Sequence, residues 1–123
     1  MSAKLMLASG KLSSYKVLLS YLNLLDDKEK SRFLPRSSDL EYIKKLIEEG
    51  FNRLDEIINE LVKYLKERVN PDLACEAVKK ALGIQLGTEE AITYVAKELA
   101  SWIIEISESL NVVRIRGAWS TSE

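Results

Sequence analysis

The sequence predicts an all-α protein: a bundle of about four main helices organised on one long central helix, with a short extended C-terminal arm. Three observations point there. Leu40, Ile43, Ile47, Phe51, Leu54, Ile58, Leu61, Leu65 and Val69 recur at steps of three or four, the spacing of one face of an α-helix. Residues 13–25 and 88–110 repeat that spacing. Strand-like alternation is confined to residues 112–116, and a lone strand cannot satisfy its own backbone. The 123 residues form a single domain, with an N-terminal arm over 1–11 and a C-terminal arm over 112–123.

In chain order, Leu5, Met6 and Leu7 make the first arm a short helical turn or an ordered arm rather than a frayed end. Ser13 or Ser14 can cap a helix running to about Leu25, with Val17, Leu18, Tyr21, Leu22 and Leu25 on one face. Asp26 and Glu29 have the spacing of a capping box and open a short helix to Phe33. Pro35 stops it, because helical geometry is disfavoured at the preceding Leu34.

The long helix is expected over residues 38–69. Ser38 and Glu41 have capping-box spacing, and Asp39 places negative charge in the first turn. Lys63, Lys66 and Arg68 place positive charge near the end. Such a helix would be about 48 Å long. Gly50 falls inside it, read as a close helix crossing or mild kink; the sharper alternative is a break into two helices of similar length. A strict heptad seam is spoiled by Gly50 and Arg68, so the wide stripe suits a globular bundle rather than a coiled coil. Asn70 and Pro71 form a cap and first turn for a helix to Leu82, and Gly83 is its natural stop. Thr88 is read as the cap of the last helix, followed by Glu89 and Glu90. Ile104 falls outside the main stripe of that helix: it is either exposed to a partner or buried because the helix is covered on two sides.

The composition excludes several classes. Eighteen basic and nineteen acidic residues leave a net charge of −1, so no global field draws the chain to nucleic acid or membrane. Cys75 is the only cysteine and histidine is absent. Ser–His and Cys–His arrangements, histidine metal sites and an internal disulfide are thereby removed. Ala8 to Ser13 contains Gly-Lys but lacks the upstream glycine of a phosphate loop. Acids on the long helix have basic neighbours three or four residues away, and Glu98, Glu105 and Glu108 read as surface acids. The chain is therefore expected to be non-enzymatic, with no cofactor, metal or small-molecule ligand. It shows no membrane span and no signal peptide, which fits a cytoplasmic protein. Abundant lysine and glutamate, with Gln85 the sole glutamine, lean towards a thermophile's composition.

Two contact sites are expected. One is the C-terminal arm, where Arg114 and Arg116 alternate with Val113 and Ile115, and Trp119 follows the flexible Gly117. Arginine and tryptophan often anchor protein interfaces; they also suit single-stranded nucleic acid. The other is the basic connector around residues 28–36, which is either a solvated segment offset by Asp26, Asp27 and Glu29 or a phosphate contact site built from Arg32 and Arg36, with Phe33 available for stacking. The functional expectation is a structural or adaptor protein acting by protein–protein contact, as a homo-oligomer. The alternative is a nucleic-acid-binding accessory subunit of a larger complex. The size and coarse helical layout are similar to small helical subunits of archaeal RNA-guided complexes and to small helical archaeal viral proteins, a likeness of architecture that carries over no residue.

Overall fold

The computed structural model describes residues 15–110. The two arms, with Ser13 and Ser14, lie outside the described residues. All the regular structure within residues 15–110 is helical. The elements are α1 (Lys16–Asn23), α2 (Asp27–Phe33), α3 (Ser37–Glu48), α4 (Leu54–Leu65), a 3-10 turn (Lys66–Arg68), α5 (Pro71–Leu82) and α6 (Thr88–Ser109).

Several boundaries follow from the expected chemistry. Glu29 N–H donates to Asp26 Oδ1 at 2.8 Å, and Asp26 N–H donates back to Glu29 Oε1 at 3.0 Å, so α2 opens on a complete capping box. Leu73 N–H donates to Asn70 Oδ1 at 3.1 Å, with Pro71 in the first turn of α5. Gly83 ends α5 in the left-handed region at φ 70°. Other caps differ. Ser38 lies inside α3, which starts at Ser37 with Arg36 in the cap position. There the Arg36 N–H donates to Asp39 Oδ2 at 3.0 Å. Thr88 is the first residue of α6 rather than its cap, and Gly87 N–H donates to Glu90 Oε1 at 3.2 Å.

The long helix over 38–69 is not continuous: it breaks at Gly50. Gly50 has φ 108°, a backbone that side-chain-bearing residues rarely adopt. Gly50 N–H donates to the Ile47 carbonyl at 3.1 Å, and Phe51 N–H donates to the Leu46 carbonyl at 3.0 Å. This pair of bonds is the Schellman stop, which satisfies carbonyls that an ending helix would otherwise orphan. Glycine at that position and apolar residues at 46 and 51 are its sequence signature. The break re-aims the faces. In α3 the buried residues are Asp39, Ile43 and Leu46; in α4 they are Ile57, Leu61, Val62 and Leu65.

The organising role passes to α6. It packs against α1, α3, α4, α5 and the 3-10 turn. α1 also lies along α5, and α3 meets α4. Ala91, Val95, Ala96, Leu99, Ala100, Ile103 and Ile104 of α6 are all fully buried. Ile104 is thus interior, and the two-sided burial of α6 is the reading that holds. The small side chains Ala74, Ala77 and Val78 of α5 are buried too, and small residues permit close helix approach. Among the described residues no helix is long and apolar enough to cross a membrane.

Candidate functional site

The site is built on Arg68, in the 3-10 turn that follows α4. Its guanidinium donates to Asp39 Oδ1 and to the Phe33 carbonyl, the latter at 3.2 Å. It also stands 5.7 Å from the centroid of the Tyr64 ring, within the range of a cation–π contact. Tyr64 in turn stacks on Tyr42 of α3, with centroids 4.1 Å apart and planes 8° apart. Asp39 is fully buried. One of its carboxylate oxygens meets Arg68 and the other accepts the Arg36 N–H. A buried carboxylate is tolerated only when so paired. One guanidinium thereby joins the end of α2, the start of α3 and the end of α4.

Beside this hub lies a depression of about 420 Å³. Its apolar wall is Leu25, Phe33 and Leu73, with Tyr21 among them. Tyr21 accepts the Asn70 N–H at its hydroxyl oxygen at 2.9 Å, and its ring packs against Phe33 at 4.7 Å between centroids. Burial pushes the Tyr21 hydroxyl above its ordinary pKa, against the opposing effect of the Asn70 hydrogen bond. Arg32, Arg36 and Arg68 share the rim with Glu29 and Glu67. Arg36 donates to the Arg32 carbonyl, placing a cation at the C-terminal end of α2, where the helix dipole favours it.

Among the residues expected from sequence, Arg32, Phe33 and Arg36 are brought together here, and Arg32 and Arg36 are exposed. Phe33 is not available for stacking: it is 3 % exposed and its ring belongs to the core. Arg114, Ile115, Arg116 and Trp119 lie outside the described residues. Sequence reasoning missed Arg68, Asp39 and Tyr21. Asp39 and Arg68 are 29 positions apart, and only the break at Gly50 lets α3 and the end of α4 meet.

Two acids read as surface residues are tethers instead. Tyr15 donates its hydroxyl to Glu105 Oε1 at 2.7 Å, and Glu105 is 8 % exposed. Glu98 Oε1 accepts the Leu18 N–H at 2.8 Å in the first turn of α1. Burial pushes Glu98 up to about 7, partly offset by the amides of Leu18 and Val17. Burial and the neighbouring Glu105 likewise push Tyr15 above its usual range. Ala91, Glu98 and Glu105 recur every seven residues, one line along α6; that line, starting from a buried alanine, is the signal that could have found them. Among the described residues, no group of three or more acids and cysteine is placed to hold a metal ion.

Compared with models of protein families, with curated proteins and with solved structures, the chain finds no match in any of the three.

Proposed function

We propose that this chain is a structural or adaptor protein without enzymatic activity, acting by protein–protein contact and associating with itself, and that the depression beside Arg32 and Arg36 receives a partner protein. The observation behind the reading is the pairing of an apolar wall with an exposed guanidinium rim. With Tyr21, Leu25 and Phe33 buried in the core, such a site accepts chiefly a partner's carboxylate on the exposed guanidinium groups, with Leu73 beside it, and arginines are frequent anchors in contacts between proteins. Its rigid side is Arg68, already locked to Asp39 and the Phe33 carbonyl.

The rival reading is an accessory subunit that holds phosphates on Arg32 and Arg36. Glu29 and Glu67 share the same rim, so the local field is nearly balanced, whereas phosphate binding draws on an excess of positive charge. Selection of displayed random peptides against the intact chain tests both. Enriched peptides should carry an acid and should lose binding to the Arg32→Glu, Arg36→Glu double variant. A mobility shift with single- and double-stranded nucleic acid, at low and moderate salt, runs beside it. No peptide enrichment, together with a shift that retreats steeply as salt rises, would replace the adaptor reading with the nucleic-acid one.

A further inference from the structure

We infer that the segment 49–53 is a hinge through which two copies of this chain exchange halves, α3 and α4 straightening into one helix in each copy. The first observation is the continuous apolar stripe across the break. Ile47, Phe51, Leu54 and Ile58 keep helical spacing through the very residues that are not helical. The second is what that stripe does in the single chain. Ile43, Leu61, Leu65 and Val69, on either side of the break, are fully or nearly fully buried, while Leu40 at the start of the stripe is half-buried. Ile47, Phe51, Leu54 and Ile58, around the hinge, are only half-buried. A straight helix paired with its two-fold copy at Gly50 would cover them, since a two-fold dimer sets the same patch of both copies face to face.

The third observation is topological. The broad helix contacts of α1 and α3 are made with α4, α5 and α6. The polar ties run the same way: Tyr15 to Glu105, Leu18 to Glu98, Tyr21 to Asn70, and Arg68 to both Phe33 and Asp39. The first half is thus held by the second and joined to it only through the exposed hinge. Exchange remakes each of these contacts between copies and loses none of them. The two sides of the hinge are held differently. α3 ends on the Gly50 stop, whereas α4 starts at Leu54 with no side-chain cap from Arg53, whose exposed guanidinium meets Asp55 at 3.4 Å. Removing the stop removes the reason to bend. This inference rests on the fold and not on the depression, so its failure leaves the proposed docking site standing.

The test is Gly50→Ala in the intact chain, followed by light scattering across a concentration series after refolding. Alanine is strained at φ 108° but favours a helix interior. Because each dimer contains two hinges, dimers should form at a concentration at least tenfold below that of the unchanged chain. Differently tagged dimers should give hybrids only after unfolding and refolding, because exchange must open both halves. A Gly50→Ala chain that stays monomeric, or whose dimers form hybrids freely, overturns the inference. If Gly50→Ala does not fold, deletion of residues 50–53 decides. That chain cannot turn back on itself, so a folded dimer supports exchange and a monomer or aggregate refutes it.

Discussion

Arg68 shows how much structure one side chain can hold in a small helical protein. Its partners Asp39 and the Phe33 carbonyl are in different helices, and its side chain is only 15 % exposed. Removing one member of a buried ion pair leaves the other charge without compensation, typically at about 3–5 kcal/mol. Arg68→Met is therefore expected to lower unfolding stability by about that much. Asp39→Asn in the same chain should recover a large part of the loss, because it removes the stranded charge and keeps an oxygen for the Arg36 N–H. Urea unfolding of both single variants and the double variant measures this. Simple addition of the two single effects would show that the pair does not act as a unit.

At the scale of elements, α1 is tied to α6 by a carboxylate that favours being protonated. Glu98 accepts the Leu18 N–H, yet burial lifts it to about 7. Between the ordinary carboxylate range near 4.5 and that value, the folded chain holds a proton that the unfolded chain has lost. Stability from this group is then highest at the acidic end and falls as pH rises through that window. Glu98 is partly open to solvent, so the slope should stay well below the limit of about 1.4 kcal/mol per pH unit. Glu98→Gln retains an acceptor for Leu18 and removes the titration. The variant should match the unchanged chain near pH 5 and melt higher near pH 8; an unchanged pH slope of the melting temperature would remove Glu98 as its source. The elements themselves were largely legible, because capping boxes, Asn70-Pro71 and Gly83 act within a few residues. The break at Gly50 was half-legible: its glycine and apolar flanks are local, but the competing stripe runs across them and favours one straight helix. Burial of Asp39 and Glu105 and the tether at Glu98 were not legible from neighbours alone. Each depends on a partner 29 to 90 residues away.

For the whole molecule, the division at Gly50 matters more than the number of helices. α6 touches α1, α3, α4 and α5, so the second half supplies the frame and the first half closes it. The helices that pack across this division bury Val17, Leu18, Tyr21 and Ile43 on one side and Val78, Val95, Leu99 and Ile103 on the other. Neither half can cover these surfaces by itself, and exposed apolar area of that kind drives association. Residues 1–51 and 52–123, produced as separate chains, should therefore be poorly helical alone and regain helical circular dichroism when mixed one to one. Their joint melting temperature should rise with concentration, as bimolecular assembly requires. A mixture whose spectrum equals the sum of its parts at every concentration would mean that the halves do not recognise each other in trans. The interface between them would then depend on the intact turn at Gly50 rather than on complementary faces.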